Sequence, residues 1–176
     1  MISDRGPGRR IIRTVLPAEA ETVAALHGRA RATYYPDGPP EDGVDWAAAW
    51  RAAAERPDGQ VLCAVRDGRI VAVASSRTPQ DGPAETVKLF QFHVDPDHWG
   101  TGIGTALHTA CLEQWRADRR TTAVLDVHTG NRRARAFYAA RGWTPDPGHP
   151  PAPGDHHLAL RLPVLSDTSP HKAMLS

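Results

Sequence analysis

HWGTGIGTAL, residues 98–107, sets a glycine at every second position and then turns helical. The glycines are Gly100, Gly102 and Gly104. Just upstream stands VKLFQFHV (Val87–Val94), an apolar run of strand type, and then the turn Asp95-Pro96-Asp97. A strand, a glycine-rich turn and a helix start, in that order, make a place for a phosphate. Glycines let backbone N–H groups come close to a ligand. The first turn of a helix leaves four N–H groups unpaired, and its dipole adds about half a positive charge at the same end. The nucleoside-triphosphate loop needs Gly-Lys-Ser/Thr, and no lysine is present in this stretch. The dinucleotide fingerprint G-x-G-x-x-G fails on spacing.

The stretch resembles the acetyl-coenzyme A loop of the GNAT superfamily of N-acetyltransferases. The pattern there is Gln/Arg-x-x-Gly-x-Gly/Ala after a strand that ends in a V-x-P turn. Val94-Asp95-Pro96 supplies the turn, and Gly102 and Gly104 take the glycine positions. Trp99 departs from the pattern by standing where Gln or Arg is usual. A second stretch, NRRARAFYAARGW (Asn131–Trp143), resembles the superfamily's N-x-x-A-x-x-F-Y-x-x-x-G-F helix. Asn131, Ala134, Phe137, Tyr138 and Gly142 match, and Trp143 replaces Phe.

The resemblance spans residues 11–162. It implies one α/β domain, with a mixed, centrally splayed sheet of about six to seven strands flanked by about four helices. The splay is expected between Glu85–Val94 and Ala123–His128. Acetyl-CoA is the implied cosubstrate, and direct transfer to an amine in a ternary complex is the implied reaction. Backbone from Trp99, Gly100, Thr101, Gly102, Ile103, Gly104 and Thr105 is expected to hold the diphosphate. Phe92, His93 and Val94 would pair with the pantetheine arm and polarise the thioester carbonyl. Asn131, Ala134, Phe137 and Tyr138 would complete the cofactor side. Asn131 and Tyr138 are two helical turns apart, about 10 Å along one face. Tyr138 matches the tyrosine that family members use as general acid; a phenol of ordinary pKa about 10 is protonated at neutral pH. Several members keep a Glu as base where this chain has Lys88. His93 is the first substitute, with Gln91 and Glu85 also open, alone or through water. Arg132, Arg133 and Arg135 lie beside the cofactor helix and are candidates for the 3′-phosphate. Two alternatives remain: a larger acyl donor, or a non-catalytic acyl-CoA sensor.

Composition narrows the partners. A chain of 176 residues suits one core, and a net charge of +1 gives no footprint for nucleic acid. Cys63 and Cys111, far apart in apolar surroundings, read as buried thiols. No apolar run approaches the roughly 18 residues of a membrane span, and no leader-length apolar run follows MISDRGPGRR. A cytoplasmic monomer or homodimer acting on a small-molecule amine is the expectation, with no nucleic acid or membrane partner. The histidines show no zinc spacing with the cysteines, so no metal is expected.

The rest of the chain fills in the elements. Residues 1–10 read as a flexible arm. Ile11–Val15 is a strand candidate, and Pro17 opens a helix with Val23, Leu26 and Ala30 on one face. A second helix carries Trp46, Trp50, Ala53 and Ala54 inward. Gln60–Arg66 and Arg69–Ser76 flank Asp67-Gly68, a strong hairpin signal. Ile103, Leu107, Cys111 and Trp115 mark a helix ending near Arg119. Ala123–His128 reads as a strand covered on both faces. Thr129-Gly130-Asn131 caps the next helix. His156–Leu162 is the last strand, after a proline-rich loop expected, with Tyr34 and Tyr35, to wall the acceptor site. Residues 163–176 read as a disordered tail.

Overall fold

The computed structural model describes residues 9–165. Most of the expected arm and tail lies outside them. The chain runs β1 (Arg10–Thr14), α1 (Ala20–Ala32), α2 (Trp46–Glu55), β2 (Gly59–Arg66), β3 (Arg69–Arg77), β4 (Thr86–Val94), α3 (Ile103–Ala117), β5 (Thr122–His128), α4 (Arg132–Ala140), β6 (Thr144–Pro145) and β7 (His157–Pro163). Pro17–Glu19 forms a 3-10 turn before α1. The last strand reaches Pro163 and Val164 is fully buried, so the ordered chain passes the expected limit at residue 162.

Seven strands form one sheet in the order β1-β2-β3-β4-β5-β7-β6. The first four make an antiparallel meander. Asp67 (φ 52) and Gly68 (φ 76) both adopt the left-handed conformation that a two-residue hairpin turn needs. α1 and α2 cover one face of β2 and β3, where Val15, Val23, Leu26, Trp50, Val61, Cys63 and Val73 form a core. α3 and α4 cover the other face. Ile103, Leu107, Cys111 and Trp115, each at most 2% exposed, pack there on Leu62, Ala64, Ala72, Ala74 and Leu125. Each such burial of a large side chain stabilises by about 1.5–3 kcal/mol.

Two features shape the site. β4 carries a bulge: Ser75 pairs with Gln91 and Ser76 with Leu89, which leaves Phe90 as the extra residue. Apolar positions therefore switch parity along the strand. Val87 and Leu89 face the α3 core before the bulge, and Phe92 and Val94 face it after. β5 overturns the expectation of burial on both faces. Ala123, Leu125 and Val127 are buried, while Asp126 is exposed and Val124 and His128 are half-buried. α1 and α2 reach only as far as β4, so the α1-side face of β5 stays open.

Candidate active site

β4 and β5 run parallel and pair only at Thr86–Thr122, Val87–Ala123 and Lys88–Val124. Beyond Lys88 they part, at the place where the bulge turns β4 away. A cleft of about 280 Å³ lies on the far part of β4, bounded by the glycine turn and α4. Phe92, His93, Val94, Trp99, Gly100, Gly102, Gly104, Thr105, Asn131, Ala134, Phe137 and Tyr138 all line it. Two expected residues do not. Ile103 is 1% exposed with its side chain in the core, and the Thr101 hydroxyl donates to the His98 carbonyl. Only their backbone is left to serve a ligand.

The turn is built for close approach. Gly100 (φ 74) and Gly102 (φ 83) hold conformations that side chains resist, and Gly102 is the N-cap of α3. With no side chain at the cap, the first amides of α3 have no internal acceptor. Gly104 brings α3 against its neighbours: a Cβ there would meet Phe137 and Val94 at 3.3 Å. The Trp99 indole donates to the Val94 carbonyl at 3.3 Å, tying the turn to the strand end. Asp95 accepts from the Asp97 amide at 3.1 Å and pairs with Arg29 of α1 at 2.8 Å. Burial alone would raise the Asp95 carboxyl, but Arg29 and the Asp97 amide hold it below its usual value.

Two guanidiniums flank the turn. Arg133 lies over the Trp99 ring at 4.1 Å. Arg141 lies over the Phe137 ring at 3.6 Å, donates to the Phe137 carbonyl at 2.9 Å and reaches the Thr105 hydroxyl. Both line the cleft, whereas Arg132 does not and Arg135 is bound to the Thr129 carbonyl at 3.0 Å. Arg141 was invisible as a site residue because its motif position carries no fixed type. Its spacing, four after Phe137 and three after Tyr138, is the signal that points to it. Among the described residues, His98 Nδ1 is the buried side-chain nitrogen with no hydrogen-bond partner, and His98 also lines this cleft.

A second cleft of about 220 Å³ opens on the α1 side. His27, Arg31, Tyr34, Tyr35 and Trp46 wall it from α1, its end and α2; Asp126 and His128 wall it from β5. Its charges are matched within the protein: Arg31 with Asp42 at 3.0 Å, and Lys88 with Asp126 at 2.9 Å. Arg31 also lies over Tyr35 at 5.4 Å and Trp46 at 5.6 Å. The proline loop contributes less than expected. Pro150 and Pro151 border an outer depression that shares Phe90, Asp126 and His157 with this cleft. Glu85 is exposed at the paired end of β4 and lines neither cleft.

Tyr138 and His93 line both clefts. Tyr138 is 6% exposed among Phe92, Phe137 and Trp143. Burial first, then Cys111 and Tyr34, raises its phenol above the ordinary value, so it stays protonated at neutral pH. His93 Nε2 is 2.7 Å from Gln91 Oε1. Burial first, then His27 and Arg31, holds the His93 imidazole well below its ordinary range, so it is neutral. Asn131 spends its side-chain oxygen on the Ala134 amide at 3.1 Å, capping α4, and keeps its amide NH2 for the cleft.

Residues 23–143 match the Acetyltransferase (GNAT) family. The chain belongs to this family. A mycothiol acetyltransferase from Beutenbergia cavernae is 33% identical over 143 residues, which is 79% of this chain and 46% of that protein. The chain thus spans about half the length of that curated relative. In fold, the ribosomal-protein-S18-alanine N-acetyltransferase of Escherichia coli superposes with a TM-score of 0.69 at 17% identity, covering 92% of this chain and 98% of that one. The PaiA N-acetyltransferase of Thermoplasma acidophilum, solved in complex with coenzyme A, gives 0.69 at 15% identity, over 88% and 99%. A GNAT acetyltransferase from Staphylococcus aureus gives 0.74 at 14% identity, over 89% and 100%. Among the described residues no helix is long and apolar enough to cross a membrane.

Proposed function

We propose that this protein is an acetyl-CoA-dependent N-acetyltransferase that passes the acetyl group directly to the amine of a small molecule. One observation carries the reading: Tyr138 and His93 stand on the wall shared by two clefts, one fit for a diphosphate-bearing donor and one for an acceptor. The donor cleft fits its ligand by its uncapped helix start and the two guanidiniums. The ligand, when bound, supplies an acetyl group as a thioester.

The residues divide the remaining work. Amides of the turn and the start of α3, with Arg133 and Arg141, hold the diphosphate. The unpaired edge of β4 from Phe92 to Val94 offers N–H and C=O groups to the extended arm and an N–H to the carbonyl. Asn131 holds the same arm through its NH2. Tyr138 keeps a proton for the departing sulfur. His93, neutral, accepts the proton that the attacking nitrogen sheds. Lys88, bound to Asp126, is no base.

A small acceptor is supported by the size of the second cleft and by the internal pairing of Arg31 and Asp126 in its walls. The 33%-identical relative is also named for mycothiol rather than for a protein. The unpaired thiols Cys63 and Cys111 suit a reducing compartment, and we place the reaction in the cytoplasm. The test is thiol release from acetyl-CoA with a panel of amines and peptides. Amine-dependent release is expected. Binding of acetyl-CoA with no release across the panel would overturn catalysis and leave an acyl-CoA sensor.

A further inference from the structure

His27 belongs to neither motif, yet it is held from three sides. It is 3% exposed on the inner face of α1. The Trp50 indole of α2 donates to its Nδ1 at 3.2 Å. Trp46 meets its ring edge-on with centroids 4.5 Å apart. Its remaining face lies on the His93 ring, with centroids 4.3 Å apart and planes 22° from parallel.

The partners settle the protons. An indole N–H only donates, so His27 Nδ1 carries no hydrogen. A carbonyl oxygen only accepts, so His93 carries its hydrogen on Nε2, toward Gln91, and Nδ1 is its basic nitrogen. Among the described residues that Nδ1 has no hydrogen-bond partner, and His93 lines both clefts. Charging His27 would set a new N–H against the Trp50 N–H. Burial first, then Arg31, with Asp42 opposing, already holds its pKa at about 4.

We propose that His27 is a positioning residue for His93: anchored by Trp50, it fixes the plane of the His93 ring and keeps an uncharged face against it, so that His93 Nδ1 takes the acceptor's proton with no second cation stacked on it. This rests on His93 being the base. Other titratable or charged groups line the cleft that the pair borders. They are Arg31 from α1, Tyr34 and Tyr35 from its end, Tyr138 from α4, Asp126 and His128 from β5, and His157 from β7. Arg31 and Asp126 are each neutralised by a partner.

Long-range proton–nitrogen spectra of the 15N-labelled full chain read ring tautomers and titrations without any acceptor. Both rings should show a bare Nδ1 at pH 7. In Trp50→Phe the His27 titration should move up by about one pH unit, because the bond favouring its neutral form is gone. A hydrogen on His27 Nδ1 in the wild type, or an unmoved titration in Trp50→Phe, overturns the proposal. If Trp50→Phe does not fold, kinetics on His27 variants decide. His27→Phe, unable to accept from Trp50, should lower kcat about tenfold with the KM for acetyl-CoA unchanged. His27→Gln, which can accept and stack, should recover most of the loss. Wild-type turnover in His27→Phe overturns the role of His27 alone; wild-type turnover in His93→Gln overturns the base and this role together.

Discussion

At Tyr138 a single oxygen separates structure from chemistry. The ring packs among Phe92, Phe137 and Trp143, and no hydrogen bond holds the hydroxyl within the described residues. Tyr138→Phe should therefore fold normally and bind coenzyme A as before, as calorimetry would report. Its single-turnover rate should fall by about 10²–10⁴, the usual weight of one positioned acid. A rate near wild type would remove the acid role. Tyr138 and Asn131 were expected from the resemblance, as matching positions of the superfamily's N-x-x-A-x-x-F-Y helix, and both line the cleft. Arg141 was not, since its motif position carries no fixed type, and His27 was not, since its contacts with Trp50 and His93 join elements distant in sequence.

Elements show the same division. The hairpin at Asp67-Gly68 and the amphipathic α3 follow from local pattern, and both stand where the sequence puts them. The β4 bulge left a trace as well: the apolar positions Val87, Leu89, Phe92 and Val94 change parity at Phe90. Read as a plain apolar run, that trace is lost, and the cause of the splay with it. The open face of β5 had a local signal in Asp126 and His128, which alternate with buried Leu125 and Val127; read as a near-continuous apolar run, that signal is lost. At the start of α4, Asn131 serves as cap and lines the cleft, and the two duties separate by substitution. Asn131→Ala should cost about 1 kcal/mol in urea unfolding. Asn131→Ser keeps a cap and should unfold near wild type, yet still raise the KM for acetyl-CoA because the NH2 is gone. Equal KM values in Asn131→Ser and wild type would limit Asn131 to capping.

Over the whole molecule, three imidazoles, His27, His93 and His108, govern the response to acid, each held below its ordinary range first by burial. His27 and His108 each have a pKa of about 4, lowered first by burial, then by Arg31 for His27 and by Arg141 for His108. His108 accepts from the Trp143 indole at 3.0 Å. Unfolded, each would titrate near 6.5. The unfolded chain then binds more protons than the folded one between those values, so stability rises with pH there. Their contribution is whole above about 6.5 and is lost as pH falls toward about 4, at roughly 2–3 kcal/mol for each ring. Urea midpoints at pH 7.5 and 4.5 should differ accordingly. A flat profile across that window would mean the rings are charged in the folded state.

The ion pair between Arg29 and Asp95 fastens the helix that walls the acceptor side to the turn that grips the donor. Loading one ligand should thus alter the affinity for the other, and linkage requires the two factors to be equal. Titrating coenzyme A with and without a saturating amine measures that factor in one direction, and the reverse titration must return it. Arg29→Ala should bring it toward one, leaving two ligands that no longer sense each other.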